Sequence, residues 1–495
     1  MKRAVLSILL CLVLIMLTGC GQENDVISSA PTTEPVTALT AIVTVEELEG
    51  ILTDYPSLRE ADFSGSTCYA ALASFSAAHP EIAVTYTVDL GGTTVSPDTR
   101  QLTLSPSDFQ YGTLRSALAY LPDLESVYFE DCMLTPETLS DLRAIYPNLS
   151  INCSVAFCGT TYETSVASMD LSAYAPEDIL AESSRLALFT ELTDIELMTD
   201  DGTTQFTLSD AAQLQELVPS AMLHFSFELF GQQVSTEDEE ISYANQYIGN
   251  KEGNLEILRM ALSILKGCKR FVLDNCHFEN ETMAEVRDEF RATTKVVWRI
   301  WYGKGSILTD RTMIRHVYDL YDSNSVNLIY CEDCEYLDIG HNEYLKTCEF
   351  VRGMPKLKAI ILSGSMVSDL SPFEDCPELE FLELAYCGYV TDLSPLASCG
   401  NLVRLNVAYT KASDLSPLDS LNMEVLVDAK SAVSEEEAAR FDAAHPTCLV
   451  QHTGDADGDD PYKYPWRYEL NGEPNSYYAL LQEQFHYPNT ANTIY

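Results

Sequence analysis

One spacing constrains this chain more than any other feature. Over residues 334–428 an apolar side chain recurs in the pattern L-x-x-L-x-L-x-x-N. Cys334, Leu337, Ile339 and Asn342 fit it, as do Leu357, Ile360, Leu362 and Ser365. Leu379, Leu382, Leu384 and Cys387 follow, then Leu402, Leu405, Val407 and Thr410. The first positions lie 23, 22 and 23 residues apart. A second ladder runs alongside: Ser368-Asp369-Leu370-Ser371-Pro372-Phe373, Thr391-Asp392-Leu393-Ser394-Pro395-Leu396 and Ser413-Asp414-Leu415-Ser416-Pro417-Leu418. A strand, a turn and a return segment of this length cannot bury their own apolar side. Neighbouring copies must stack, and at least about three are needed to share a core. The leucine positions then point inward. The Asn, Cys, Ser or Thr position is small enough to hydrogen-bond or pack where the chain leaves the strand. Asp before Leu-Ser-Pro can accept backbone N–H groups at the return turn, where proline fixes φ.

These residues resemble the leucine-rich repeat family, and the D-L-S-P-L ending is similar to the internalin-like bacterial type. The match covers residues 334–428, about a fifth of the chain. The resemblance implies an α/β solenoid with a parallel β-sheet. Regular repeats are assigned to 306–450 and irregular, longer repeats to 45–305.

The longer units open on similar strands: Leu58-x-x-Ala61-x-Phe63, Leu124-x-x-Val127-x-Phe129, Leu192-x-x-Ile195-x-Leu197 and Cys268-x-x-Phe271-x-Leu273. Their starts are 66, 68 and 76 residues apart. A helical stretch follows in most copies, for example Leu139, Leu142 and Ile145 on one face. It stops at His79-Pro80, Tyr146-Pro147 and Val218-Pro219. An alternating strand then runs into Gly91, Gly159, Gly231 or Gly303, a hairpin-like turn. Phe441 to Pro446 repeats the helix ending once more. Residues 231–254 are polar and read as an inserted loop. His79 and His445, beside proline, read as helix-end residues rather than catalytic ones. Trp298 and Trp301 lie an odd number of residues apart, so they face opposite sides of their strand.

The N-terminus carries Lys2 and Arg3, a short apolar run and then Leu17-Thr18-Gly19-Cys20. A run of this length is a secretory signal rather than a span. The L-T-G-C ending resembles a bacterial lipobox, which implies cleavage before Cys20 and a lipid on its sulfur. Residues 1–19 are thus the signal, and 20–44, rich in Ser, Thr and Pro, are a flexible tether. That places the folded part at the extracellular face of the plasma membrane. With 29 basic against 75 acidic residues the net charge is −46. This suits a solvated secreted surface and excludes phosphate-directed nucleic-acid binding. Of fifteen cysteines, Cys11 leaves with the signal and Cys20 is committed, so an odd number remains. Mostly reduced thiols are expected. Cys331-Glu332-Asp333-Cys334 has no second pair at zinc-ribbon spacing, and Cys334 falls on a core position.

Asp455 to Asp460 lacks the Gly and Glu of a calcium loop and reads as an acidic linker. Residues 451–495 are that linker plus an aromatic cap over the last open repeat edge, or alternatively a contact patch. No nucleophile–base motif, metal set or phosphate loop is present, so neither cofactor nor metal is expected. The outward positions form three columns: Tyr336, Ala359, Phe381, Arg404; Asp338, Ile361, Glu383, Asn406; and His341, Gly364, Tyr386, Tyr409. Aromatic residues and Arg are enriched at contact hot spots. Phe381, Tyr386, Arg404 and Tyr409 are therefore the expected ligand face, for a protein or glycan at the cell surface. The alternative is an exported envelope hydrolase with its site in 45–305.

Overall fold

The structure is a computed structural model that describes residues 35–131, 133–454, 466–467 and 473–486. It divides into two compact units, Met1–Ser154 and Val155–Tyr495. Cys20 and Asp455 to Asp460 lie outside the described residues.

In the first unit, Ala38–Thr40, Glu60–Asp62 and Ala83–Thr85 form a parallel sheet with Leu39, Ala61 and Val84 side by side. Helices Val45–Asp54 and Tyr69–Ala78 fill the crossovers. Thr44 and Glu47 close a capping box on the first helix, satisfying donors that its opening turn leaves free. Gln101–Leu104, Ser126–Phe129 and the start of Ser150–Phe157 repeat the arrangement. Ala61, Phe63, Val127 and Phe129 are buried, so the weak leucine spacing marks true core positions.

The second unit opens on the parallel strands Ser168–Asp170, Asp194–Glu196 and Met222–His224. Then come Glu240–Ala244, Arg270–Asp274 and Lys295–Tyr302, also parallel. Hairpins turn at Gly231 and Gly303, both at positive φ (85° and 50°). The inserted loop expected at 231–254 is corrected. Gln232–Ser235 and Glu240–Ala244 are strands with Val234, Ile241 and Tyr243 buried. Their polar neighbours face solvent, and the run looks polar only because every second residue is exposed. Trp298 is buried and Trp301 is 57% exposed, on opposite sides as the spacing requires.

The helices stop before proline for a common reason. His79, Tyr146, Val218 and His445 all cap at φ between −119° and −127° and ψ between 62° and 66°, away from the α region that a following proline disfavours.

The rest of the second unit is one seven-stranded parallel sheet in chain order. Its strands are β1 (Met313–Arg315), β2 (Tyr336–Asp338), β3 (Ala359–Ile361), β4 (Phe381–Glu383), β5 (Arg404–Asn406), β6 (Val425–Val427) and β7 (Leu449–Gln451). Leu337, Ile360, Leu382, Leu405 and Leu426 are paired across successive strands and are wholly buried. The ladder therefore extends beyond the sequence pattern at both ends. Return segments Ser371–Asp375, Ser394–Ser398 and Ser416–Leu418 are tight 3-10 turns with proline in the first turn. Asp369, Asp392 and Asp414 each accept the backbone N–H of the serine two residues on, at 2.9, 2.8 and 2.8 Å. Hydrogen bonding by the Ser394 and Ser416 side chains first, then by those backbone N–H groups, holds the Asp392 and Asp414 carboxyls below the usual carboxylate range. Asn342 serves the same end inside the ladder: its amide donates to His316 and Ile339 carbonyls, and its oxygen accepts the Leu320 N–H.

Helix α1 (Glu435–Ala444) replaces the tight turn before β7. His452, just past β7, clamps it in place. Its Nδ1 lies 2.8 Å from both Asp428 oxygens and its Nε2 is 3.1 Å from Asp442 on α1. Burial raises the Asp428 carboxyl. Burial lowers the imidazole, but the hydrogen bonds and charge of Asp428 and Asp442 outweigh it, so the His452 pKa is raised. A raised folded pKa gives stability that is full below the unfolded value of about 6.5 and is lost as pH rises through the folded value. The loss of urea stability in His452→Gln is therefore expected to be larger at pH 6 than at pH 9. An equal loss at both would show that the clamp is not protonic.

Candidate functional site

The predicted columns are real: Tyr336, Ala359, Phe381 and Arg404 are successive register partners, as are Asp338, Ile361, Glu383 and Asn406. The expectation that this face lies open is corrected. Part of the chain's own C-terminal segment, Trp466, Arg467 and residues 473–486, lies on it. Ala359, Ile361, Phe381, Ala408, Val425, Val427 and Ala429 form one buried cluster with Trp466, Tyr478, Leu481 and Phe485. On the last strand, Leu449 is 59% exposed.

Phe381 is the anchor and is only 2% exposed. Trp466 stacks against its ring at 4.4 Å and Tyr477 at 5.2 Å with planes 3° apart. Trp466 Nε1 donates to Glu383 Oε2 at 2.9 Å, and Arg467 Nη2 donates to Glu383 Oε1 at 2.9 Å. A buried carboxylate needs such partners, and here both come from the docked segment. Arg404 lays its guanidinium 5.4 Å over the Tyr477 ring, a cation–π contact. Burial first, then the Glu380 carboxylate, pushes the Tyr477 hydroxyl well above its ordinary value. Helix α2 (Ser476–Gln484) is started by Asn475, whose side chain accepts the Tyr478 N–H and donates to the Trp466 carbonyl. Phe485 meets Tyr336 edge-on at 6.4 Å.

The third column forms a rim just past the strand ends. Tyr318, His341, Gly364, Tyr386, Tyr409 and Lys430 occupy equivalent positions and all have positive φ, between 57° and 76°. Side chains rarely adopt this region, at a cost of roughly 1–2 kcal/mol per residue. Hydrogen bonds to the next rung offset it. The N–H groups of His341, Gly364, Tyr386 and Tyr409 donate to the carbonyls of Ser363, Ala385, Ala408 and Ala429 at 2.7 to 3.1 Å. The result turns rings outward and stacks them. Tyr386 and Tyr409 are 4.2 Å apart with planes 16° apart, and Tyr318 and His341 are 5.9 Å apart. Lys430 sits 4.7 Å above Tyr409 and donates to its hydroxyl. Tyr386 is 37% exposed. Of the four expected ligand residues, Tyr386 and Tyr409 stand on the rim, where Tyr409 is half-buried against the covered cluster, and Phe381 and Arg404 hold the C-terminal segment.

Elsewhere, His224 bridges Asp194 (2.9 Å) and Glu237 (2.5 Å) through its two ring nitrogens. Burial lowers its pKa, but the two carboxylates raise it overall. His452 is likewise bridged by two carboxylates, Asp428 and Asp442. Cys331 and Cys334 are buried, and burial pushes the Cys331 thiol up to about 12, opposite to a nucleophile or metal-ligating thiolate. No disulfide joins the described cysteines. A cavity of about 450 Å³ beside Phe230, Tyr247 and Lys251 lacks any histidine. Among the described residues no group of His, Cys, Asp and Glu is placed to hold a metal ion.

The parallel, in-register rungs make this stretch a leucine-rich repeat ladder. No family model matches the chain, and no curated protein matches it. Solved structures similar to it include internalin C2 of Listeria monocytogenes, at 16% identity over 30% of this chain and 74% of that one, with a TM-score of 0.24. Another is an internalin, inlF, of the same organism, at 14% identity over 83% of this chain and 90% of that one, with a TM-score of 0.24. A leucine-rich repeat protein of Leptospira interrogans has 13% identity over 83% of this chain and 99% of that one, with a TM-score of 0.27.

Truncating a buried aromatic costs about 3–5 kcal/mol. Trp466→Ala is therefore expected to raise local opening of the C-terminal segment about a hundredfold or more, seen as faster hydrogen exchange and chymotryptic cleavage within 473–486. Unchanged exchange there would show that the indole does not hold the segment.

Proposed function

We propose that this chain is a non-catalytic, extracellular docking module, tethered to the outer face of the bacterial plasma membrane through a lipid on Cys20. Its partner is a protein, bound on the exposed rim of the seven-stranded sheet with Tyr386 and Tyr409 as anchors. The observation that carries this reading is the stacked Tyr386–Tyr409 pair on positive-φ backbone, with Tyr386 37% exposed and Tyr409 half-buried. A pre-ordered aromatic surface loses little side-chain entropy on binding, which is the property of a contact hot spot. Phe381 and Arg404 take part only where the C-terminal segment has left, because that segment occupies them in the folded chain. The wide acidic surface keeps such a module soluble and adds no affinity for nucleic acid. Among the described residues no helix is long and apolar enough to cross a membrane. Each buried lipid CH₂ contributes roughly 0.8 kcal/mol, and two or more chains hold a protein stably.

Both halves of this reading can be tested separately. Proteins retained from native envelope by the full chain should be lost, or weakened at least tenfold, with Tyr386→Ala/Tyr409→Ala of unchanged circular dichroism. Equal retention removes the rim as the docking surface. Cys20→Ala is expected to leave the membrane fraction for the soluble one; a variant that stays with membranes removes the lipid anchor.

A further inference from the structure

Two cavities lie side by side just past the strands Glu240–Ala244 and Arg270–Asp274. One, of about 260 Å³, is lined by Asn250, Asn275, His277, Glu279, Asn280 and Trp301 over a floor of core residues. The other, of about 450 Å³, is lined by Glu228, Phe230, Gln246, Tyr247 and Lys251. The wall between them is a ring stack: Tyr247 and His277 are 4.3 Å apart with planes 4° apart. Close backbone approach makes that wall. The Gly249 N–H donates to the Cys276 carbonyl at 2.9 Å, and a Cβ on Gly249 would fall 2.4 Å from the His277 carbonyl oxygen, so only glycine lets the two loops come this near. Asn275 Nδ2 donates to Asn245 Oδ1 at 2.9 Å and ties the same loops together. Polar groups on these walls are largely uncommitted. Among the described residues the side chains of Gln246, Asn250, His277 and Glu279 make no hydrogen bond or ion pair. Glu279 caps the helix Asn280–Phe290 without a side-chain bond. The Asn280 oxygen accepts the Trp298 indole N–H at 3.0 Å, which leaves the Asn280 NH2 donors unused. Beside these groups stand two rings in water, Trp301 at 57% and Tyr247 at 69% exposure, where rings of that size are usually more buried.

We propose that the paired cavities bind a neutral, extended oligosaccharide, β-linked and gluco-configured, with one pyranose unit in each. Sugar hydroxyls both donate and accept, as side-chain amides do, so Gln246, Asn250 and Asn280 match them without a net charge. A pyranose with equatorial substituents presents a flat C–H face, the complement of an exposed aromatic wall. Trp301 supplies that wall in one cavity, and Tyr247 and Phe230 supply it in the other. A β-linkage keeps successive rings extended, as two cavities parted by a single ring stack require. Other ligand classes meet an obstacle here. An anion needs an unpaired cation, but Arg299 is engaged with Asp274 by two hydrogen bonds, and Glu228 and Glu279 oppose the charge of Lys251. A lipid tail would desolvate the amides and give them no partner. The smaller cavity lies just under the roughly 300–1,000 Å³ of sites for drug-sized ligands, which is room for one small ring. This site shares no residue with the rim.

The test uses the full chain with cellotetraose and with tetra-N-acetylchitotetraose, followed by calorimetry and tryptophan fluorescence. At least one should bind, and the pair separates a 2-hydroxyl from a 2-acetamido group as the recognised form. The matching monosaccharide fills one cavity only and should bind at least about tenfold more weakly. Trp301→Ala and Tyr247→Ala should each weaken the tetrasaccharide roughly 2- to 10-fold, whereas Trp301→Phe, which keeps a ring, should stay within about threefold of the unaltered chain. Both side chains are exposed, so circular dichroism should be unchanged in every variant. Absence of binding by both tetrasaccharides at about 10 mM, above the millimolar range of weak sites, would overturn the proposal. So would equal affinity in Tyr247→Ala/Trp301→Ala and the unaltered chain, or equal affinity for one sugar unit and four. Envelope proteins held by the full chain and lost in that double variant, with neither sugar bound, would assign the cavities to a protein instead. None of these results bears on the rim, whose own test is Tyr386→Ala/Tyr409→Ala.

Discussion

The whole arrangement depends on rungs that lie in strict register. Each strand of the seven-stranded sheet pairs parallel with the next at equivalent positions, so every residue has its counterpart one repeat away as a neighbour. Inside, this aligns Leu337, Ile360, Leu382, Leu405 and Leu426 into one apolar spine. Outside, the same alignment decides which side chains can touch. Tyr386 stacks on Tyr409 because they occupy one position in consecutive rungs. The hydrogen-bonding continues beyond the strands, from the N–H of each rim residue to the next rung. That is how backbone conformations costly in isolation are tolerated in a row.

The outer face of the same sheet follows a different logic. Its solvent-side positions include Ala359, Ile361, Phe381, Val425 and Val427, too apolar to stay in water as a contiguous patch. The C-terminal segment supplies the missing cover. Glu383 sits within that patch as a carboxylate that accepts from the Trp466 indole and the Arg467 guanidinium. A buried charge of this kind adds little net stability, because its desolvation offsets its attraction. It does penalise other placements of the segment, since a shifted one would leave Glu383 buried without those donors. Apolar contact thus holds the segment down, and the carboxylate sets where it lies.

Much of this was legible in the residues. The leucine spacing gave the register of the sheet, the three columns and the role of Asp369, Asp392 and Asp414. Proline after a helical stretch marked four helix ends. The covered face was harder. Trp466 lies 83 positions from Glu383, and Trp466 to Phe485 has no periodicity strong enough to pair it with a distant surface. A signal was nonetheless present: the triplets Ala359–Ile361 and Val425–Val427 are apolar at both outward positions as well as the inward one, which an open strand face does not favour. The strands within 231–254 were hidden by their polar alternate residues. The carboxylate posts on His224 and His452 join residues 10 to 30 apart in sequence, and no local motif announces them.

The contrast between rim and face is the reason for placing the proposed docking surface at the rim. A partner approaching the face must first displace a segment held by two ring stacks and two donors on one buried carboxylate. Tyr386, on the rim, is 37% exposed and already stacked on Tyr409. The N–H groups of both bond to the next rung, which fixes the backbone that carries the rings. Side chains ordered in this way have little freedom left to lose on docking, which is why the proposal places the contact there.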